Sequence, residues 1–243
     1  MARLKAILVF ITTLAFVASP LWSPSFKGYD PSQFPNPSET PAIQPAGWAF
    51  SIWSVIYLWL VISAAYGLWR KTDDSAWDAP RWPLIISTGL GISWLTVATY
   101  MPWLATVQIW LMCGAAIWAV AACPKPRDPV TRWGLRAPAG LYAGWLTAAS
   151  GVGTGVVLIG YNVASELTIT LLMLGLIAAV AFTVLVRFSP PVTYPLALVW
   201  ALFGIIMANW GNGVIMLPCF IVAVALAALA AYQHLPRPKA TRA

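Results

Sequence analysis

The sequence predicts an all-α protein, a polytopic transmembrane bundle of about eight helices. Three observations carry that expectation. Of 243 residues, 60% are hydrophobic and only 9% are charged, against roughly 25% charged in soluble domains. Apolar runs recur along the chain, most close to the ~20 residues that cross the hydrocarbon as a helix. The basic residues gather in the short connections between those runs, on one side of the expected membrane.

The runs fall at about 6–22, 46–69, 82–99, 103–123, 137–160, 166–186, 192–209 and 213–233, the third and seventh being shortest. With the N-terminus inside, Arg3, Lys5, Arg70, Lys71, Arg81, Lys125, Arg127, Arg132, Arg136, Arg187, Arg237, Lys239 and Arg242 are all cytoplasmic, and Lys27 alone lies outside. This bias predicts an even number of spans, cytoplasmic N- and C-termini, and a bacterial inner (plasma) membrane. It also accounts for the net charge of +7 with no nucleic-acid partner. The first run has the basic start and apolar stretch of a signal peptide. The prolines of SPLWSP stand where a small-residue cleavage site is required, which favours a retained helix.

Between the first two spans, residues 23–45 carry Pro24, Pro31, Pro35, Pro37, Pro41 and Pro45, too many for a helix or a central strand. Phe26, Tyr29 and Phe34 set this segment apart from a solvated linker. It is either an ordered loop resting on the membrane surface or a lid over a pocket between helices. Residues 234–243 form a basic cytoplasmic tail.

No Asp, Glu, Lys, Arg or His lies well inside a span. Intramembrane charges mark ion paths and proton relays, so a proton- or ion-driven pump is disfavoured, and the usual general acids and bases are missing. Glu166 stands at the start of the sixth span, where a carboxylate suits a helix N-terminus and Ser165 can cap. Cys113, Cys123 and Cys219 show no metal-ligand spacing and are expected as small core residues. Glycine pairs in GLYAG (140–144) and GVGTG (151–155) predict a tightly packed, central fifth helix.

Fifteen tryptophans remain to be explained. Trp22, Trp69, Trp82, Trp103 and Trp210 fall near span ends, as interfacial anchors do. Trp77 and Trp133 fall in loops and are expected to contribute little. Trp53, Trp59, Trp94, Trp110, Trp118, Trp145 and Trp200 lie within spans, where an indole N–H needs a partner, so their rings are expected to face other helices, a cavity or a ligand. In the stretch PAGWAFSIWSVIY (45–57), Phe50, Trp53 and Tyr57 share one helical face, as do Tyr142 and Trp145 in the fifth span. Two such faces could sandwich a flat lipophile or pack on each other.

These residues carry a resemblance. Pro45, Trp48, Phe50, Trp53 and Tyr57, behind a proline-rich first loop, resemble the signature of the TspO/MBR family of tryptophan-rich sensory proteins (peripheral benzodiazepine receptor-like). LYAGW at 141–145 is similar to that family's P-Y-x-x-W, and Ser93-Trp94 stands where it often has Asn-Trp. The pattern departs from the family at Ile56, in place of leucine, and at Ser93 and Gly153, in place of asparagines. It covers roughly residues 5–160. The resemblance therefore implies a TspO-like five-helix core over 1–160, with three additional helices over 161–233, in a long divergent branch.

The resemblance also implies a function: binding a tetrapyrrole (porphyrin or haem-like) or other flat apolar ligand in an intramembrane aromatic pocket. That pocket uses Trp48, Phe50, Trp53, Tyr57, Trp94, Tyr142 and Trp145. No intrinsic cofactor, metal or catalytic residue is expected. The partners are the bilayer, a small apolar ligand and a second copy in a homodimer. A permease of an uncharged lipophile and a structural membrane-assembly protein are the alternatives. Porphyrin photochemistry is the one enzymatic route that needs no acid–base residues.

Overall fold

The structure, a computed structural model, describes residues 1–23, 29–126 and 128–234. Among them there is no strand. The helices are α1 (Ala2–Ala18), α2 (Ile52–Trp69), the single turn α3 (Ser75–Asp78), α4 (Arg81–Tyr100), α5 (Pro102–Ala122), α6 (Ala137–Gly160), α7 (Glu166–Phe188), α8 (Thr193–Ala208) and α9 (Gly213–His234). Leaving α3 aside, eight helices stand at the eight apolar runs. Seven of the helical segments are long and apolar enough to cross a membrane; α8 is a shorter apolar helix. Its 16 residues span about 24 Å, short of a ~30 Å hydrocarbon core. Lys27, Phe26, Arg127 and the tail beyond His234 lie outside the described residues.

The central element is α6, as its glycines predict. Most of its side chains are buried, and it packs against α5, α7 and α8. In lipid, helices gain little from apolar burial against one another, so close approach carries the packing. A Cβ added at Gly144 would stand 2.2 Å from the carbonyl oxygen of Tyr194 on α8, and one at Gly151 would stand 2.3 Å from Cγ1 of Ile177 on α7. Six residues of wider π-type turn, Thr131–Arg136, lead into α6. Pro138 follows two residues later and has no N–H to donate back into that turn.

Away from α6 the bundle exposes Leu58, Ile62, Leu111, Leu172, Phe220 and Ile221, the apolar outer surface a bilayer requires. Trp22, Trp69, Trp82, Trp103 and Trp210 are all exposed near helix ends, where interfacial rings belong. Trp118 departs from expectation: it is 53% exposed, on the outer face of α5 rather than toward a neighbour.

The basic end is built more tightly than short loops suggest. Arg81 is buried, and its guanidinium donates to the carbonyls of Ala2 (2.9 Å), Thr72 (2.8 Å) and Lys71 (2.9 Å) and to Oδ1 of Asp78 (2.9 Å). Lys5 pairs with the same Asp78. A charge taken out of water demands this degree of satisfaction. Arg136, also buried, donates to the carbonyls of Pro124 and Ser189. Trp77 corrects the sequence reading outright: it is 2% exposed and wedged against Gly67 and Gly134, where added Cβ atoms would meet its ring at 3.1 and 3.3 Å. The turn α3, which periodicity cannot detect at four residues, carries it there.

Gly144→Ala is expected to force α6 and α8 apart and cost about 1–3 kcal/mol, the usual range for overpacking. Thermal unfolding of the purified protein checks this. Gly89→Ala, which meets nothing within 4 Å, serves as the control and should leave the midpoint unchanged or raised.

Candidate functional site

A cavity of about 760 Å³ lies between α1, α2, α4, α5, α6 and α8, within the ~300–1,000 Å³ of small-molecule sites. Its wall includes Phe50 from the turn before α2, Trp53 and Tyr57 from the start of α2, Trp94 from α4 and Trp145 from α6. The 3-10 turn Gly47–Ser51 leads straight into α2, so the three- and four-residue spacing does place Phe50, Trp53 and Tyr57 on one face.

Two residues of the expected set do not reach the wall. Trp48 points the other way, 43% exposed, and packs edge-on against Trp200 (centroids 5.0 Å apart) and against Phe203. Tyr142 is fully buried behind the wall, its hydroxyl 3.0 Å from Oγ of Ser87, which donates to the Met112 carbonyl. Conversely, the sequence reading missed Phe16 and Ala201. Phe16 lies on the cavity and meets Tyr57 (5.2 Å, 85°) and Trp53 (5.9 Å, 80°). It is one of many apolar residues in the first run, and nothing in its spacing marks it. Ala201 brings α8 into the wall, and a lone alanine carries no signal.

The rings settle the choice between packing and sandwich. Phe50 and Trp145 meet at 5.9 Å and 86°, Trp53 and Trp145 at 6.1 Å and 85°, and Trp53 and Tyr57 at 5.1 Å and 33°. The first two are edge-to-face pairs at normal separations. A flat guest between two parallel rings would hold them about 7 Å apart, twice the ~3.5 Å contact distance. The two aromatic faces thus pack on one another, and their remaining surface forms one continuous wall.

Most indole donors inside the helices are spent within the protein. Trp94 donates to the Ala105 carbonyl (3.0 Å), Trp59 to Trp133 (3.0 Å), Trp200 to Ala49 (2.8 Å) and Trp110 to Thr154 Oγ1 (2.9 Å). The Trp145 N–H is buried with no partner.

The proline-rich segment covers one end of the cavity. Tyr29, Gln44, Pro45 and Gly47 line it, and Ile43 is fully buried against Gly155 of α6. Backbone and amide hydrogen bonds hold the segment down. The Asn36 N–H donates to Gly160 (2.9 Å), the Ala46 N–H to Gly204 (3.0 Å) and Gln33 Nε2 to Thr99 (2.5 Å). Ala42 is held from both sides: its N–H donates to the Glu166 carboxylate (2.6 Å), and its carbonyl accepts from Asn209 Nδ2 (2.8 Å). Ser165 caps α7 by accepting from the Thr168 N–H, which leaves Glu166 free for this role. Burial pushes the Tyr29 phenol up to about 12, partly offset by a hydrogen bond with Thr106. No charged side chain lines the cavity among the described residues, nor do they contain a group of His, Cys, Asp or Glu able to hold a metal.

Fold and cavity together define a class: an integral membrane helical bundle enclosing an aromatic-walled chamber. The chain matches the TSPO-like protein family over residues 6–232, and it belongs to that family. The match continues past Gly160 through α7, α8 and α9. No curated protein and no solved structure matches the chain.

Two predictions follow from this geometry. Glu166→Ala and Asn209→Ala should each loosen Ala42 by about 1 kcal/mol, seen as roughly fivefold faster amide exchange in residues 34–46; unchanged exchange would place the hold in Phe34 and Ile43 packing instead. Affinity for any uncharged ligand should be constant from about pH 5 to 9, because no wall group among the described residues titrates there. The docked Tyr29 keeps its proton above its ordinary value of 10.0, so its contribution to loop docking is complete below about pH 10 and lost as pH rises through about 12.

Proposed function

We propose that the protein is a tryptophan-rich, TspO-type receptor that binds a tetrapyrrole or another flat apolar ligand inside the membrane. The observation that carries this reading is the chamber itself: about 760 Å³, walled by Phe50, Trp53, Tyr57, Trp94 and Trp145 and covered by an anchored loop. Aromatic contact with a flat guest contributes about 0.5–1.5 kcal/mol per ring pair beyond area burial, so several rings supply useful affinity without a charge. Binding rather than catalysis is proposed, because the wall offers no acid–base pair. The proposed location is a bacterial inner membrane with both termini cytoplasmic. Supporting this, the helix ends bearing Arg3, Lys5, Arg70, Lys71, Arg132 and Arg187 all fall at the end of the bundle away from the proline-rich loop.

A porphyrin titration of the detergent-purified protein, followed by tryptophan-fluorescence quenching, tests the reading. Saturable quenching is expected, and it should be abolished in the Trp53→Ala/Trp145→Ala double variant at unchanged expression. Unaltered affinity in that variant would sink the site, and weak, unsaturable quenching would leave the aromatic stretch as packing alone.

A further inference from the structure

We propose that the basic end of the bundle holds the phosphodiester of an anionic phospholipid, such as phosphatidylglycerol, at a site built from Arg136, Lys125 and Arg187. None of the three lines the chamber, and the proposal stands apart from any chamber ligand. It starts from a contrast between the two buried arginines. Arg81 has a carboxylate, Oδ1 of Asp78 at 2.9 Å, as well as its carbonyls. Arg136 is 6% exposed and has carbonyls only, those of Pro124 (3.0 Å) and Ser189 (3.1 Å). No carboxylate pairs with it among the described residues. A buried charge without a counter-charge is costly, and the chain supplies one for Arg81 but none for Arg136.

The carbonyls that hold Arg136 bring further positive charge beside it. Lys125 follows Pro124, and Arg187, in the last turn of α7, stands two residues before Ser189; both are exposed. The C-termini of α5 and α7 offset part of the Arg136 charge and leave Lys125 and Arg187 uncompensated. The acids of this end are committed elsewhere: Asp78 to Lys5 and Arg81, Asp74 to Lys71, and both oxygens of Asp128 to Thr131. Asp73 is exposed on the turn before α3. Arg136 also keeps a donor in hand, because its Nε–H has no partner in the protein and is not closed off. A planar guanidinium with a free donor, flanked by two cations, matches the oxygens of a phosphate. Placement selects a lipid as its source. Arg136 immediately precedes α6, which crosses the membrane, and Val130, Val186 and Phe188 expose apolar surface close in sequence to the cations, where acyl chains can lie. Basic pockets between helix ends are where anionic head groups bind.

Native mass spectrometry of the detergent-purified full chain tests this by counting bound lipid. The probes are phosphatidylglycerol, phosphatidylcholine and diacylglycerol with the same acyl chains. One phosphatidylglycerol should bind at least about tenfold more tightly than either of the others, and the preference should shrink as salt rises. Lys125→Gln/Arg187→Gln removes two exposed cations and spares the Arg136 hydrogen bonds. It should weaken phosphatidylglycerol binding by about ten- to thirtyfold, at roughly fivefold per cation. Arg3→Gln/Arg70→Gln removes two exposed cations elsewhere at the same end and should change binding by less than about threefold. Arg136→Lys keeps the charge, loses the planar fork and should also weaken binding; if it fails to fold, the two double variants decide. Equal binding of phosphatidylglycerol and phosphatidylcholine, or equal losses in the two double variants, overturns the site and leaves general charge attraction in its place. A folded Arg136→Lys protein that binds as wild type overturns the assignment of Arg136. Displacement of the lipid by millimolar inorganic phosphate makes the occupant a free anion and overturns the lipid assignment.

Discussion

The contact on which the rest of the molecule depends is the approach of α6 to its neighbours across bare glycine. Lipid offers helices no hydrophobic reward for associating, so shape and internal hydrogen bonds must hold them. Gly140 and Gly144 admit Pro191 and Tyr194 at the start of α8, and Gly151 admits Ile177 of α7. Polar links reinforce the seam: Thr193 Oγ1 donates to the Ala137 carbonyl, and the Tyr194 hydroxyl lies 3.1 Å from Oγ1 of Thr147. With one flank committed to α7 and α8, the other flank of α6 presents Trp145, Ala149 and Val152 to the chamber. The same helix also seats the loop, through Ile43 at Gly155 and Phe34 at Gly160. Packing, wall and cover are therefore consequences of one small-residue stripe.

The two ends of the bundle solve the same problem with different chemistry. At the basic end, helix C-termini leave carbonyls without partners, and the buried guanidiniums of Arg81 and Arg136 bind carbonyls of the segments that follow them, at Lys71, Thr72, Pro124 and Ser189. At the other end, the proline-rich loop supplies the donors. Its backbone N–H groups at Asn36 and Ala46 reach the carbonyls of Gly160 and Gly204, at the ends of α6 and α8. Proline keeps this loop out of helix and sheet, so its remaining N–H groups are available for such contacts. The chamber lies beneath this loop, which closes that end of the bundle through these backbone bonds together with the side chains of Phe34 and Ile43.

Helix number and placement were legible in the sequence because apolar length and basic loops are direct physical requirements of a bilayer. The central role of α6 was legible for a related reason: only glycine permits its contacts. The wall was legible in part. Spacing fixed which of Phe50, Trp53 and Tyr57 share a face, and that held. It could not fix how each helix is rotated against its neighbours, and this is where Trp48 and Tyr142 fell away, one onto Trp200 and the other behind the wall. Phe16 and Ala201 were hidden for the converse reason, since a ring among many apolar residues and a methyl group become wall only through their surroundings. Trp77 was misjudged because a one-turn helix has no period to detect, and its burial depends on two glycines in other helical segments, Gly67 and Gly134.

The edge-to-face arrangement of the wall bears on how any guest is recognised. Phe16, Trp53, Tyr57 and Tyr142 touch one another through ring contacts, and Trp145 joins them through Phe50 and Trp53. Each ring is thus held by others before a ligand arrives, and little side-chain freedom remains to be lost on binding, which is the usual source of affinity in a pre-formed site. The cost of that rigidity is adaptability. Opening a wall held by mutual ring contacts to insert a plate would cost those contacts, so a guest would be matched to the shape of one face. The aromatic stretch that dominates the sequence supplies much of that face, through Phe50, Trp53 and Tyr57.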